Sequence, residues 1–248
     1  VKSAFATIGG MFTSKNPATG EVLATFPELT DAELESKLVS ARAAYLSWRE
    51  TSLPERAALV RKLGELFRSE KEAIGRLITE EMGRPIAASV AEAEKCAWVC
   101  DYYADNAERM LAPQPFPDGL SGEVRFDPLG VVLAVMPWNY PFWQVMRFLA
   151  PALMAGNTGV LKHASNTPRS AAYIESMVER AGFPANVFLN LFISIEQTAR
   201  VIDDPRIAAV TLTGSVRAGS SVGERAGRNL KKVVLELGGS DPFIVLND

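Results

Sequence analysis

Up to about residue 112, apolar positions recur at the spacing of an α-helix. Beyond residue 130 they gather in short continuous runs separated by helical stretches. A hairpin is predicted first, in "NPATGEVLATFPELT", with Gly20 at its turn. Thr30, followed three residues later by Glu33, forms a capping box, and Leu34, Leu38, Ala41 and Tyr45 then share one helical face. The next stretch opens with Pro54 at a first helical position and stops at Gly83, with Pro85 just beyond; it reads as one long helix. A further long helix spans "IAASVAEAEKCAWVCDYYADNAERML" and is ended by Pro113.

Proline and glycine then crowd "PQPFPDGLSGEVRFDPLG", where "EVRF" alternates apolar with polar. This predicts an extended arm or hairpin leaving the helical body. From Gly130 onward the strand candidates are "VVLAVMP", "TGVLK", "NVFLNLF", "IAAVTLT" and "KKVVLEL", with helices near 141–154, 168–181, 195–203 and 216–228 between them. Continuous apolar strands alternating with helices predict an α/β fold. Its parallel sheet carries helices on both faces and is preceded by N-terminal helices and a protruding β arm. Ligands of such sheets bind at the carboxyl ends of the strands. The residues just past each strand are therefore where chemistry is to be sought.

Composition narrows the classes. The 248 residues are 48% hydrophobic and 22% charged, with a formal net charge of −3. That suits a globular chain of one large domain or two modest ones and leaves no basic footprint for nucleic acid. No apolar stretch approaches the roughly 18 residues of a membrane helix, and the opening "VKSAFATIGG" lacks the apolar core of a secretory signal. The chain starts on Val1 rather than Met, which suggests a trimmed start. Cys96 and Cys100 lie one helical turn apart and read as reduced, partly buried thiols. With His163 the only histidine, no metal site is expected, and the thiols suggest a cytoplasmic protein.

Four strand ends carry candidate chemistry. After the first come Trp138, Asn139 and Tyr140 between two prolines, which fix the backbone around Asn139. An amide so held can donate to an oxyanion, though Asn and Pro also simply make turns. Lys162 ends the second strand and can reach the ribose or phosphate of a nucleotide; its alternative is a solvated lysine. Gly214 opens a helix whose N-terminus can take a phosphate. Gly214 and Gly219 match the glycines of a Walker A loop, but Ser220 stands where that loop needs lysine, and there is no GxGxxG. Glu236, before Gly238 and Gly239, can act as a general base if burial raises its pKa; otherwise it is an exposed or paired glutamate.

"PWNYP", "LKHAS", "TLTGS" and "LELGGSDP", in this order, resemble the NAD(P)-dependent aldehyde dehydrogenase superfamily, and the likeness runs from "NPATGE" to the last residue. "MPWNYPFWQVMR" and "RIAAVTLTGSVRAG" further resemble bacterial succinate-semialdehyde dehydrogenases. The resemblance implies a Rossmann-like dinucleotide-binding part over 130–248, an oligomerisation arm over 113–129 and a helical part of the same cofactor domain over 1–112. Asn139 then matches the oxyanion asparagine and Glu236 the base that activates thiol or water. Lys162 matches the lysine on the adenosine ribose, Gly214 and Ser215 the turn near the pyrophosphate, and Pro137, Trp138 and Leu237 positions lining the cofactor. Arg147, on the helix that "PWNYP" opens, matches an arginine that receives the carboxylate of succinate semialdehyde.

Three departures qualify the likeness. Ser165 stands where NAD-preferring relatives often carry glutamate, so the cofactor is left as NAD or NADP. "NLFISIE" replaces a glycine-rich turn. The nucleophilic cysteine has no counterpart before Asp248, so the catalytic-cysteine domain is expected to be absent and this chain alone inactive. The resulting expectation is a truncated aldehyde dehydrogenase acting on a small-molecule aldehyde, with neither nucleic acid nor membrane as partner, and homo-oligomeric as the full-length parent. The alternative is a non-catalytic dinucleotide-binding or interaction protein.

Overall fold

The computed structural model describes residues 10–117 and 121–246. A bulged antiparallel hairpin comes first, β1 (Met11–Lys15) with β2 (Val22–Pro27), turning through Gly20 at φ 77°. Helix α1 (Asp31–Trp48) starts at the Thr30–Glu33 box and buries Leu34, Leu38, Ala41 and Tyr45. Helix α2 (Leu53–Ser69) starts at a second box, Ser52 with Glu55, which satisfies two otherwise orphaned N–H groups.

The single helix expected up to Gly83 is two helices. The backbone leaves the helical region at Glu70 (φ −105°, ψ 9°), and α3 (Lys71–Met82) restarts without a side-chain cap. The cause lies elsewhere in the chain. The Glu70 carboxylate is held by the Tyr173 hydroxyl at 2.6 Å and by the Arg180 guanidinium. Gly83 ends α3 in the left-handed region (φ 72°). Helix α4 (Ile86–Met110) follows and buries Glu92, Cys96 and Cys100. The arm is a minimal antiparallel pair, β3 (Gln114–Pro115) with β4 (Glu123–Val124), and the part of the expected arm at 118–120 lies outside the described residues. Phe116, Val124 and Phe126 on it are exposed.

Residues 130–236 build the α/β layer: β5 (Val131–Met136), α5 (Trp143–Met154), β6 (Thr158–His163), α6 (Pro168–Arg180), β7 (Phe188–Asn190), α7 (Ile195–Asp203), β8 (Ile207–Thr213), α8 (Val216–Arg228) and β9 (Lys232–Glu236). All five strands run parallel in the order β7-β6-β5-β8-β9, a Rossmann-like sheet. β7 is shorter than its apolar run. Asn186 takes a left-handed φ of 67°, and Phe192 leaves the ladder to stack on Phe26 and meet Phe12.

Alternation sorts each strand between two cores. Leu133, Val160, Val210 and Leu212 pack under α1, α7 and α8. Ala134, Met136 and Leu161 pack under α5 and α6, with α2, α3 and α4 stacked behind them. On the α5 side, β8 and β9 border an open, mostly apolar groove of about 530 Å³, floored by Ala209, Thr211 and Val234. Among the described residues no helix is long and apolar enough to cross a membrane, and no cluster of metal-ligating side chains occurs.

A buried arginine joins the two layers. Arg56 donates to the carbonyls of Met154 (3.1 Å) and Arg49 (2.9 Å) and to the Thr51 hydroxyl (2.9 Å), closing the ends of α5 and α1. Gly156 makes room for it: at φ 81° it takes the left-handed turn, and a Cβ there would meet the guanidinium at 2.8 Å. Arg56→Met keeps the aliphatic bulk but leaves these acceptors unpaired. Urea unfolding is expected to show a loss of about 1–3 kcal/mol, the range for an orphaned buried polar group; an unchanged midpoint would contradict this role.

Candidate active-site cleft

Three neighbouring strand ends enclose one cleft. β5 runs into the Pro137–Pro141 turn, β8 into Gly214 and Ser215, and β9 into Leu237 and Gly238; together they border a space of about 510 Å³. The Gly214 N–H donates to the Glu236 carbonyl at 3.0 Å, so the second and third loops are tied by their backbones. Ser215 caps α8, its hydroxyl accepting from the Ala218 N–H at 3.2 Å. Gly219, read from sequence with a phosphate loop in view, has a packing task instead. A Cβ there would meet the Leu237 side chain at 2.4 Å, so its absence lets Leu237 reach the cleft wall.

Eight of the ten residues singled out by sequence line this cleft: Pro137, Trp138, Asn139 and Arg147 from β5 and α5, and Gly214, Ser215, Glu236 and Leu237 from the β8 and β9 ends. The other two stand apart. Lys162 belongs to β6 and alternates with His163, so it shares the α1, α7 and α8 face with Val160. It is half-buried and makes no ion pair among the described residues, and its burial lowers its pKa. Ser165 is exposed in the loop that follows.

Burial of Glu236 is not observed. It ends β9, which among the described residues is an edge strand with a neighbour on one side only, and its side chain is 55% exposed. Its carboxylate instead faces Arg147 at 3.9 Å. Arg147 also donates to the Thr213 hydroxyl at 3.2 Å, which fixes the guanidinium within the cleft. Cys96 and Cys100 are buried on α4, where burial raises both thiol pKa values, and neither lines the cleft.

Several participants had no signal in the motifs. Gln144 lines the cleft between Asn139 and Arg147, with its Oε1 buried and without a partner among the described residues. Glu92 and Arg84 hold the Pro137–Pro141 turn from outside it. His163 holds it from β6. The Ala164 N–H donates to His163 Nδ1 at 2.8 Å, so the ring proton sits on Nε2, which donates to the Pro141 carbonyl at 2.8 Å. A lone histidine beside the candidate lysine was the one available clue.

A profile of the aldehyde dehydrogenase family matches residues 6–248, and the chain belongs to that family. It is 48% identical over 235 residues to succinate-semialdehyde dehydrogenase (NADP+) 1 of Mycobacterium tuberculosis, covering 93% of this chain and 51% of that protein. An aldehyde dehydrogenase of Paenarthrobacter nicotinovorans is 49% identical over 236 residues, covering 93% and 52%. The succinic semialdehyde dehydrogenase of Streptococcus pyogenes, solved in complex with NADP+, superposes with a TM-score of 0.91 at 42% identity, covering 96% of this chain and 52% of that one. The chain thus spans about half the length of the curated relatives it matches.

Burial pushes the His163 pKa down to about 4 from an ordinary 6.5. Between those values the unfolded chain binds the extra proton. His163 therefore costs no stability above about pH 6.5 and lowers it as pH falls toward 4. In His163→Gln this slope should vanish. Relative to the parent, the variant's unfolding free energy should gain roughly 2 kcal/mol between pH 7 and pH 5. A difference that stays constant with pH, measured by urea titration, would contradict a neutral buried ring.

Proposed function

We propose that this chain is the dinucleotide-binding half of an NADP-linked aldehyde dehydrogenase acting on succinate semialdehyde. The observation that carries the reading is the meeting of an amide, a carboxylate and a guanidinium, Asn139, Glu236 and Arg147, around one cleft at adjacent strand ends. The names of the relatives, which specify NADP and succinate semialdehyde, support the particular substrate and cofactor.

The residues suit a nicotinamide dinucleotide lying across the carboxyl edge of the sheet. On the α7 and α8 side, Lys162, without an ion pair among the described residues, would donate to the adenosine ribose, and Ser165 offers a hydroxyl without the charge that repels a 2′-phosphate. At the middle, the first-turn N–H groups of α8, which the helix itself cannot satisfy, would take the pyrophosphate. On the α5 side, Pro137, Leu237 and the exposed Trp138 would wall the nicotinamide. The bound dinucleotide supplies the hydride acceptor. Asn139 would donate its side-chain N–H to the oxygen that gains charge when the aldehyde carbon is attacked. Glu236 would take the proton from the attacking thiol or, later, from water. Arg147 would fork onto the distal carboxylate of the substrate, with charge assistance on both hydrogen bonds.

Neither cysteine of this chain reaches the cleft, so on this reading the nucleophile belongs to the other half of the relatives' length. The same reading makes the β3–β4 arm, with its exposed Phe116, Val124 and Phe126, an association surface of a homo-oligomer. It also takes the protein to be cytoplasmic, in keeping with two free thiols.

Calorimetric titration of the folded chain should show NADP binding, and no heat with either dinucleotide at millimolar concentration would sink the proposal. Ser165→Glu should weaken NADP about tenfold or more, roughly 1.4 kcal/mol, and spare NAD; equal losses would leave Ser165 without a part in the choice. In the protein that joins this chain to the other half its relatives have, Arg147→Ala should cost roughly 2–4 kcal/mol in kcat/KM for succinate semialdehyde. A neutral aldehyde of the same length should be almost unaffected. Equal losses for both would mean that Arg147 serves the fold.

A further inference from the structure

The turn that carries Asn139 owes its shape to side chains from other elements. Glu92, on α4, has a fully buried side chain. Its Oε1 accepts the N–H of Phe142 and the N–H of Trp143, both at 2.9 Å. Phe142 is the N-cap residue of α5, whose side chain gives no capping bond, and Trp143 is the first residue of the helix. The other carboxylate oxygen is paired with Arg84, from the link between α3 and α4. Arg84 in turn lies over the Tyr140 ring, 4.2 Å from its centroid, and its Nη1 reaches the Asn139 carbonyl at 3.4 Å. The Asn139 side chain is bonded to nothing among the described residues and lines the cleft.

The chemistry of the pair argues against simple packing. A serine or aspartate at the start of α5 would satisfy the same N–H groups without burying a carboxylate. A carboxylate reaching across from α4 does something a local cap does not. It sets the start of α5 against the helical layer and holds the guanidinium that touches the asparagine. The aim of the Asn139 amide is then referred to a rigid body outside its own loop. An oxyanion donor is useful only when its N–H is aimed at the place where charge develops.

We propose that Arg84 and Glu92 are positioning residues for Asn139, setting the direction of its amide and affecting turnover only through it. This rests on the reading of Asn139 as an oxyanion donor. The test is a double-mutant cycle in the protein that joins this chain to the other half its relatives have, with succinate semialdehyde and NADP. Asn139→Ala is expected to lower kcat by about 10²–10³-fold, the usual loss of one oxyanion donor. Arg84→Gln and Glu92→Gln should each lower kcat by about tenfold or more, with the KM for NADP unchanged, because they misaim that donor rather than remove it. On the Asn139→Ala background, Arg84→Gln should have almost no further effect. If Arg84→Gln slows Asn139→Ala by the same factor as it slows the parent, or if the KM for NADP rises in step with the loss of kcat, the positioning role is overturned while the oxyanion role stands. Full activity in Asn139→Ala would overturn the oxyanion role and the positioning role together. Should Glu92→Gln fail to fold, Arg84→Gln decides alone, since its side chain lies nearer the surface.

Discussion

Buried glutamates of the N-terminal helices are what the α/β layer hangs on. Helices α5 and α6 both begin without a side-chain cap of their own. Glu92 supplies the missing acceptor to the first, and Glu81 to the second, where it receives the N–H groups of Arg169 (2.9 Å) and Ser170 (3.0 Å). Glu70, half-buried, adds a third tie, to Tyr173 and Arg180 further along α6. A helix N-terminus leaves its first N–H groups orphaned and carries a partial positive charge, so an anion there is favourable twice over. The N-terminal helices and the α/β layer are thereby held in one register.

That register decides where the strand-end loops can be. β5 sits at the centre of the sheet, between β6 and β8, and its turn leads straight into the helix that Glu92 caps. The same turn is held from β6 by His163, through the Pro141 carbonyl. His163 is the immediate neighbour of Lys162, yet the two side chains serve opposite faces of the sheet. One strand end thus supports the cleft on one side and presents an ammonium on the other. A ligand long enough to use both must cross the carboxyl edge of the sheet, as a dinucleotide does.

The electrostatics of the cleft are unbalanced by design of the strand order. Glu236 ends an edge strand, so it remains exposed and borrows its partner from α5 rather than from β-sheet neighbours. Arg147 is shared between that carboxylate and the Thr213 hydroxyl. At 3.9 Å and in contact with solvent the ion pair is weak. So loose a pair is compatible with the roles proposed for the two groups, an anion partner for the guanidinium and a base at the carboxylate.

Much of this was legible along the chain, because the signals were local. Thr30 and Glu33 start α1 within one turn of each other, the apolar runs mark five strands, and the punctuation by Pro54 and Gly83 places the outer ends of a helical stretch. Strand-end position alone points to Asn139, Glu236 and Gly214, since parallel strands all finish at one edge. What needed the tertiary structure were the events set by partners far along the sequence. Glu70 breaks a continuous helical pattern because α6 holds its carboxylate, and β7 stops early because Phe192 finds aromatic partners on β1 and β2. Glu236 stays exposed because β9 is an edge, and Arg84, from the α3–α4 link, and Glu92, from α4, reach the asparagine's turn from segments whose own pattern gave no hint of it. Backbone propensity is decided within a turn or two of chain, whereas burial and ion pairing depend on which distant residues the packed layers bring within a few ångströms.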